Sequence, residues 1–503
     1  MIQSAPVNQK QPLAAFIQRY TTRTQTSKQL AQTYRPVLTD PRNALGFFPP
    51  LKEMCYPIVG QRSAGARIWD VDGNEYIDLM MGFGVNLLGH NPPFIKAALQ
   101  EQIEKGIQLG PQAELAGEVA ALISELTGLE RVAISNTGTE AVMTAIRAAR
   151  ATTGRPKIAV FAGSYHGHFD SALVKASGRG EPAATAIAPG IVPSLVADVL
   201  VLEYDSPQAL EIIEAHQREL AAVLVEPIQS SRLELQPRQF LHQLRQVTAA
   251  AGIALIFDEM VTGFRLHLGG AQAWFGVEAD LATYGKIVGG GLPIGIIAGK
   301  AAYLDKLDGG QWQYGDASAP QVETTFFAGT HCKHPLAMAA AKAMLNYLKQ
   351  QGPDLQAQLN QRTAQFVNQL NAVLAAAGLP IRMVSGGSLF GLPGGRSGGD
   401  RSDAANPAAL GLGLLTYHLR DRGILLRGTS GFLSTAHMKR GLAWRFQQYE
   451  AEGECEPAER QHRPRGEGGA EEDVIEEVRA EAVHAVEEMR ARRRRVRPSI
   501  CPK

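Results

Sequence analysis

Short apolar runs in the middle of the chain alternate with segments that are long enough for helices. Residues 157–161, 222–225 and 253–257 form three such runs, and each ends at polar or glycine-rich positions. This pattern predicts the strands of a parallel sheet that helices cover. The ligand crevice of such a sheet lies at the carboxyl ends of its strands, so we expect the chemistry directly after these runs.

The segments on either side of this sheet predict further elements. Residues 66–79 alternate around the Asp72-Gly73 step and indicate a hairpin, while residues 336–349 have helical periodicity. Further along, a glycine-rich stretch at 386–399 and a strand-like run at 423–427 indicate a smaller α+β lobe.

Composition excludes several classes of protein. The 503 residues carry 50 Lys+Arg against 49 Asp+Glu, so no global field favours nucleic acid. An apolar content of 45% excludes wholesale disorder. Four widely spaced cysteines form no CxxC pair, which favours a reducing compartment over a disulfide framework or a metal site. No run approaches the roughly 18 apolar residues that a membrane span needs.

The two ends of the chain differ from its middle. Residues 1–39 carry basic residues but no Asp or Glu, as an organelle transit peptide would. Apolar residues such as Phe16 and Tyr20 have helical spacing there, which favours a docked lead-in helix instead. Residues 438–503 are much richer in Arg and Glu than the rest, and we expect them to be partly disordered.

Lys286 is the first candidate for chemistry. It is followed by an apolar pair and three glycines, whereas a surface lysine normally has polar neighbours. A lysine held inside a crevice loses solvation, which lowers its pKa and frees the amine to form a Schiff base. A lysine that reaches solvent from a buried turn explains the same context equally well.

Asp258 decides between these two interpretations. It stands at the carboxyl tip of the strand predicted at 253–257, where a buried carboxylate needs a cationic partner. A protonated pyridine nitrogen is such a partner. The segment between Asp258 and Lys286 leaves room for one helix and a return strand, so both side chains are able to approach one ring from opposite sides.

Two further polar loops follow predicted strands. Thr137-Gly-Thr139 leads into a helix whose free amide groups are able to receive a phosphate, although a simple N-cap explains Thr137 as well. Tyr165 stands at the tip of the second loop and is able to stack on a flat cofactor, although an isolated aromatic is more often packing. We interpret His166 and His168 as structural.

Together these motifs resemble the class III aminotransferases of the fold type I pyridoxal phosphate enzymes, which include the glutamate-1-semialdehyde aminomutases. The resemblance covers about residues 47–437, and the motifs occur in family order. They are Thr137-Gly-Thr-Glu-Ala141, Tyr165-His-Gly167, Val225-Glu-Pro-Ile228, Asp258-Glu259, Lys286 and Phe327-Ala-Gly-Thr330.

The resemblance implies pyridoxal 5′-phosphate as the cofactor and names the residues that bind it. Gly138 and Thr139 would bind the phosphate, assisted by Thr330 across a homodimer interface. Tyr165 and Met260 would pack on the two faces of the ring.

The remaining site residues have chemical roles in the family. Asp258 would keep the pyridine nitrogen protonated, so that the ring absorbs electrons when a Cα proton leaves. Lys286 would hold the cofactor as a Schiff base and then carry a proton between the donor's Cα and the cofactor. Glu226 would order the polar edge of the cofactor or the donor's pocket.

The same resemblance implies an α/β fold of fold type I, with a large domain, whose mainly parallel seven-stranded sheet is flanked by helices, and a smaller α+β domain. The predicted divisions are a lead-in helix and linker at 1–46, the first part of the small domain at 47–100, the cofactor-binding large domain at 101–350, the second part of the small domain at 351–437 and a charged tail at 438–503. Beyond His437 the resemblance ends, because the terminus has diverged or because the reading frame is altered there.

Within the family, Thr262-Gly-Phe-Arg265 is similar to the aminomutases, but two departures point away from them. Pro50-Leu-Lys52 stands where aminomutases have an arginine that clamps the substrate carboxylate, and lysine lacks the bidentate fork. Gly82-Phe-Gly84 replaces their Ser-Trp-Gly loop, so we expect a more apolar pocket. Phe83, Leu389 and Phe390 are its candidate lining, unless these aromatic and aliphatic side chains belong to the core.

These departures resemble the aminotransferase domains of polyketide and nonribosomal peptide synthetases. The predicted function is amino transfer from glutamate or glutamine to a β-ketoacyl chain on an acyl carrier protein, by a cytoplasmic homodimer that binds neither nucleic acid nor membrane. Glutamate-1-semialdehyde 2,1-aminomutase and a catalytically silent interaction module are the alternatives. Arg427 is a candidate contact for the donor's carboxylate, or one half of a structural ion pair.

Overall fold

The computed structural model describes residues 7–41, 44, 47–178, 182–376, 378–379, 381–394 and 407–437. The predicted charged tail at 438–503 and part of the glycine-rich stretch at 386–399 lie outside these ranges.

The described residues form helices and strands that alternate along most of the chain. The helices are α1 (Val7–Arg23), α2 (Gln25–Tyr34), α3 (Met81–Gly84), α4 (Pro93–Lys105), α5 (Leu115–Thr127), α6 (Gly138–Thr153), α7 (Pro193–Val196), α8 (Pro207–Ala215), α9 (Arg238–Ala251), α10 (Gly270–Phe275), α11 (Ala301–Asp308), α12 (Pro335–Gln351), α13 (Asp354–Ala376) and α14 (Pro407–Asp421). The strands are β1 (Gly60–Ala64), β2 (Arg67–Asp70), β3 (Glu75–Asp78), β4 (Arg131–Ser135), β5 (Lys157–Phe161), β6 (Val174–Ala176), β7 (Ala184–Ala186), β8 (Val199–Leu202), β9 (Leu220–Val225), β10 (Ala254–Asp258), β11 (Leu281–Tyr284), β12 (Gly295–Gly299), β13 (Val384–Gly386), β14 (Leu389–Gly391), β15 (Ile424–Leu425) and β16 (Gly431–Phe432).

A seven-stranded sheet forms the centre of the fold, in the order β4-β12-β11-β10-β9-β5-β8. Strands β8, β5, β9, β10 and β11 pair in parallel, while β12 runs antiparallel to both of its neighbours. The predicted mainly parallel seven-stranded sheet is confirmed. The carboxyl ends of β4, β5, β9, β10 and β11 therefore lie at one edge, where the candidate site residues follow them.

Both faces of this sheet are buried, which explains the continuous apolar runs in the sequence. In β9, Ala222 and Leu224 face one core cluster together with α6 residues such as Val142, while Val223 and Val225 face a second cluster. The alternation of side chains along each strand distributes them between the two layers of helices.

A smaller sheet joins segments from the two ends of the described chain. The predicted hairpin is present as β2 and β3, with Ile68 opposite Tyr76. The predicted strand near residue 424 is present as β15 and pairs in parallel with β3, so this sheet has the order β1-β2-β3-β15. A further sheet, β13-β14-β16, belongs to the later segment alone. The domain divisions proposed from the sequence stay predictions.

The predicted lead-in helix is α1, and it docks against α14. Phe16 and Tyr20 are fully buried. The Phe16 ring stacks on His418 with 4.0 Å between ring centroids, and Arg19 pairs with Asp421 at 2.7 Å. Within the described ranges, the structure contains no helix with both the length and the apolar character that crossing a membrane requires.

Candidate active site

Asp258 ends β10 at the carboxyl edge of the sheet, and it is almost fully buried. Its Oδ2 accepts a hydrogen bond from His166 Nδ1 at 2.7 Å. Its Oδ1 accepts from Thr283 Oγ1 at 3.3 Å and from the backbone amide of Met260 at 3.1 Å. These bonds restrain both carboxylate oxygens, because the donors come from three different elements.

His166 is the residue whose role the sequence interpretation missed. We interpreted it as structural, but its imidazole contacts Asp258 directly and is itself buried. Its position in the Tyr165-His-Gly167 motif, after β5, was the available signal. The sheet brings the ends of β5 and β10 to the same edge, which linear spacing does not reveal.

Lys286 follows β11 and begins a short 3₁₀ turn with a φ of 34°, in the left-handed region that lysine seldom adopts. Burial lowers the pKa of its amine, and this is the largest effect on the group. The negative charges of Asp258 and Glu226 oppose that shift, while Arg265 and Arg427 reinforce it. The lowered pKa that the sequence context predicted is therefore present in the structure.

Met260 connects the lysine turn to the helix that starts at Gly138. A Cβ atom on Gly138 would lie 2.7 Å from Met260 Sδ, and one on Gly285 would lie 2.8 Å from the same sulfur. The thioether thus packs directly on the backbone of both loops, so any larger residue at either glycine would displace it. We refer to Met260 and the backbone of Gly138 and Gly285, next to Lys286, as the cradle.

The first turn of α6 has a capping box. Thr137 Oγ1 accepts from the amide of Glu140 at 3.2 Å, and the Glu140 carboxylate accepts from the amides of Asn136 and Thr137. The N-cap interpretation of Thr137 is therefore correct. The amides of Gly138 and Thr139 lie at the first helical positions, which have no intrahelical acceptor and are suited to an anion.

Thr139 has a second contact besides this helix terminus. Its hydroxyl lies 3.2 Å from Nδ1 of His168, and it accepts from the His168 backbone amide at 3.4 Å. A Cβ on Gly167 would meet the same hydroxyl at 2.7 Å. The loop after β5 therefore packs tightly on the start of α6.

Glu226 follows β9 and is buried beside the Asp258–His166 pair. Its Oε2 and the Nε2 of His166 are buried without a hydrogen-bond partner among the described residues. Burial raises the pKa of Glu226 to about 7, and the nearby charge of His166 partly counteracts this effect. Two unsatisfied polar atoms in one buried region are the feature expected where a polar ligand binds.

Tyr165 and Thr330 are the most exposed of the predicted site residues. Tyr165 is 60% exposed, while its backbone amide donates to Glu226. Thr330 lies in an exposed segment, where the neighbouring Gly329 approaches Asn136 and Cys332. The stacking role of Tyr165 and the contact of Thr330 across a dimer interface stay predictions.

The residues of this edge fit pyridoxal 5′-phosphate. The cradle next to Met260, the free amides of α6 and the unpartnered atoms of His166 and Glu226 match the apolar ring, the phosphate and the polar ring edge in turn. The structure thus brings together Asp258, Lys286, Glu226, Met260 and Gly138, with Thr139 at the border.

Two candidate lining residues are corrected by the structure. Leu389 and Phe390 lie on β14 and belong to the core, where the Phe390 ring packs edge-on against Phe366 at 5.2 Å. Phe83, by contrast, is 46% exposed. Leu389 and Phe390 are buried because other elements of the core, such as α13 with Phe366, pack on β14, and the pattern along the chain does not indicate this packing.

Comparison with known families identifies the family of this chain. Residues 49–429 match the model of the aminotransferase class-III family. The chain belongs to the class III aminotransferases. Family membership confirms the predicted enzyme class, a transaminase, and the predicted cofactor, pyridoxal 5′-phosphate.

Curated relatives of this class III aminotransferase are aminomutases. The glutamate-1-semialdehyde 2,1-aminomutase of Syntrophus aciditrophicus (strain SB) is 41% identical over 337 residues, which are 65% of this chain and 74% of the relative. An enzyme of the same name from Chloroflexus aurantiacus (strain ATCC 29366 / DSM 635 / J-10-fl) is 36% identical over 392 residues, which are 76% of this chain and 86% of the relative.

Solved structures share the fold. An omega-transaminase from Sphaerobacter thermophilus has a TM-score of 0.71 at 31% identity and covers 92% of this chain and 98% of its own. A β-phenylalanine aminotransferase from Variovorax paradoxus has the same TM-score at 30% identity, with 88% and 96% covered. These neighbours confirm the predicted fold type I architecture.

Proposed function

We propose that this class III aminotransferase moves an amino group from glutamate or glutamine to a β-ketoacyl chain carried by an acyl carrier protein, as part of polyketide or nonribosomal peptide biosynthesis. The observation that carries the proposal is the exposed ring of Phe83, which lies under Arg427, a residue whose charge acts on Lys286. Phe83 lies in the segment where the chain departs from the aminomutase pattern, and an apolar surface there suits an acyl chain better than a small dicarboxylic substrate.

Lys52 supports the same proposal because it argues against an aminomutase substrate. It stands where aminomutases have a carboxylate-binding arginine, and it lines a cavity of about 100 Å³ with Lys28, Arg35 and Tyr56. None of the predicted site residues lines that cavity. We therefore propose that Lys52 does not hold a substrate carboxylate beside Lys286.

Arg427 is the cation best situated for the amino donor. It is exposed, its guanidinium lies 5.1 Å from the centre of the Phe83 ring, and its charge acts on Lys286. A guanidinium binds a carboxylate with two parallel hydrogen bonds. Arg427 would therefore hold the donor's carboxylate while the adjacent phenyl ring contacts the acceptor chain.

The protein's own residues hold and move the protons of the reaction. Lys286 has a lowered pKa, so its Nζ is able to take a proton from the donor's Cα in the first half of the transfer. In the second half it would give a proton to the carbon of the acceptor that receives the nitrogen. Asp258 would hold a proton at the pyridine nitrogen of the bound cofactor, and His166 orients Asp258 through its hydrogen bond. When bound, pyridoxal phosphate supplies a carbonyl carbon for the nitrogen and a ring that accepts electrons.

One spectroscopic experiment tests the proposal. The full chain is loaded with pyridoxal phosphate, and the band of the lysine-bound cofactor at ~410–430 nm is followed after addition of glutamate or glutamine. The donor should remove the band, and a β-ketoacyl carrier protein should restore it. The same carrier without an acyl chain is the matched control, and restoration by both carriers or by neither would contradict the proposed acceptor.

Glutamate-1-semialdehyde 2,1-aminomutase activity is the second candidate. The names of the curated relatives and the Thr262-Gly-Phe-Arg265 motif favour it. In the same assay, glutamate-1-semialdehyde would then be converted without any separate donor, and the acylated carrier would have no effect. The interaction-module alternative has no support, because the chain belongs to a transaminase family.

A homodimer is part of this proposal, and a cytoplasmic location stays a prediction beside it. The segment before Thr330 exposes large apolar side chains, with Phe326 79% and Tyr314 92% exposed. Such side chains suit an interface between subunits. Light scattering should give twice the mass of the chain, and Thr330→Val should weaken cofactor binding while leaving the mass unchanged.

A further inference from the structure

Arg265 is the largest fully buried side chain in the described part of the protein, and no carboxylate neutralises it there. Its Nε donates to the carbonyl of Val261 at 3.0 Å, its Nη1 to Ser388 Oγ at 2.8 Å and its Nη2 to the carbonyl of Gly84. A buried charge is costly, so a guanidinium bound only by neutral acceptors requires a compensating role.

Gly84 ends the short segment α3, whose backbone is a left-handed turn and not a right-handed helix. Met81, Gly82, Phe83 and Gly84 all have positive φ, at 44°, 60°, 57° and 91°. Two of these residues have side chains that disfavour the left-handed region. Such a turn persists only when its surroundings restrain it.

Arg265 supplies this restraint together with Phe432. A Cβ on Gly84 would lie 2.7 Å from Phe432 Cε1 and 3.0 Å from Arg265 Nη2. The Arg265 guanidinium also lies 5.2 Å from the centre of the Phe432 ring. The turn therefore contacts the Arg265 guanidinium through Gly84. The guanidinium in turn contacts the small β13-β14-β16 sheet through Ser388 and Phe432.

The turn also bears an exposed residue. Phe83 extends from the turn, and Arg427 lies over its ring. The charges of Arg265 and Arg427 both lower the pKa of Lys286. The charges of Asp258 and Glu226 oppose this effect. The buried Arg265 thus contacts the turn at Gly84, and the exposed Arg427 contacts it at Phe83. The charges of both arginines act on Lys286.

We propose that Arg265 is a positioning residue, which restrains the left-handed turn Met81–Gly84 and thereby fixes Phe83 and Arg427 as the surface that selects the substrates. This inference rests on the proposed function, because it assigns the specificity of the same site. Arg265 belongs to the motif that is similar to the aminomutases, whereas the turn it holds is a departure from them. The same arginine therefore supports a different substrate surface in this chain.

A double-mutant cycle tests whether Arg265 acts through Phe83, whose ring supports Arg427 and so affects the binding of the donor's carboxylate as well as the acceptor chain. The full-length, cofactor-loaded protein is compared as wild type, Arg265→Met, Phe83→Ala and the double variant, and the removal of the ~410–430 nm band by glutamate gives a KM and a limiting rate for each. Arg265→Met should raise the KM about tenfold or more, with a smaller change in the limiting rate. The double variant should be no worse than Arg265→Met alone, because the two residues act in series.

Conservative and matched variants separate positioning from folding. Arg265→Lys keeps the charge but loses the fork, so it should raise the KM nearly as much. Arg238→Lys is the control: Arg238 also donates to backbone carbonyls, those of Trp274 and Phe275, and lies 5.4 Å from a phenyl centre, so its loss should leave the KM unchanged. If Arg265→Met does not fold, the cycle is run with Arg265→Lys.

Each outcome supports or overturns the inference. Unchanged KM values in folded Arg265 variants, or strictly additive losses in the double variant, would overturn it. If the wild type itself does not react with glutamate or glutamine, the proposed function fails first, and this failure is distinct because it precedes any comparison of variants.

Discussion

His166 donates from Nδ1 to Oδ2 of Asp258 at 2.7 Å, while Nε2 of the same ring is buried with no partner among the described residues. One nitrogen of the histidine is therefore committed to the carboxylate, and the charge of the ring also acts on Glu226, the buried acid that follows β9. His166 is thus an electrostatic link between Glu226 and Asp258, the acid that we propose serves the cofactor ring.

Loss of the His166 side chain should weaken the site without removing it. His166→Phe leaves Oδ2 of Asp258 without its donor, so the carboxylate is less well oriented. We expect the rate of glutamate-dependent transfer to fall about tenfold, equivalent to roughly 1.4 kcal/mol. His216→Phe, at a more exposed ion pair with Glu219, should keep the wild-type rate. Equal rates for both variants would contradict the link.

Lys286 should be indispensable. Lys286→Ala removes the amine that moves the proton, and proton transfer by a positioned side chain contributes roughly 10²–10⁴-fold to a rate. The variant should stay folded by circular dichroism, lose the ~410–430 nm band and lose transfer by at least this factor. Undiminished transfer by a folded Lys286→Ala protein would refute the assignment of the site.

Gly138 should tolerate no side chain. Gly138→Ala brings a Cβ against Met260 Sδ, so the sulfur must move and the cradle changes shape. We expect the Kd for pyridoxal phosphate, measured by spectral titration, to rise about tenfold, or roughly 1.4 kcal/mol. Gly117→Ala is the matched control, because Gly117 lies in α5 with open space around it. That variant should bind the cofactor normally and gain roughly 0.5–1 kcal/mol of stability.

His437 should make the fold sensitive to acid. Burial lowers its pKa to about 4, from an ordinary value of 6.5. The unfolded chain then binds the proton more tightly than the folded protein does, so stability is lost as the pH falls from 6.5 to 4. The wild type should lose about 3 kcal/mol more than His437→Asn over this range, measured by urea unfolding.

The control for this prediction is the exposed His331. The stability of His331→Asn should change with pH in parallel with that of the wild type. Parallel stability curves for wild type and His437→Asn between pH 4 and 6.5 would show that His437 does not contribute.

The sequence predicted the central sheet because its strands are buried on both faces. Continuous apolar runs such as the one in β10 have no other common explanation when helix-length segments separate them. The hairpin of β2 and β3 was equally predictable from the sequence, because a local turn determines its pairing. The pairing of β15 with β3 joins residues far apart in the chain, and no local pattern encodes it.

For the site, the sequence by itself determined the predicted catalytic pair. Lys286 and Asp258 are recognisable because an ionisable residue at the end of a buried run is costly unless it has a function. Only the tertiary structure decided which residues contact and restrain their surroundings. His166 and Arg265 act through contacts that arise when separate strands and turns meet at one edge of a sheet. These contacts depend on distances in three dimensions. Neither the spacing of residues nor the hydrophobic period along the chain contains that information.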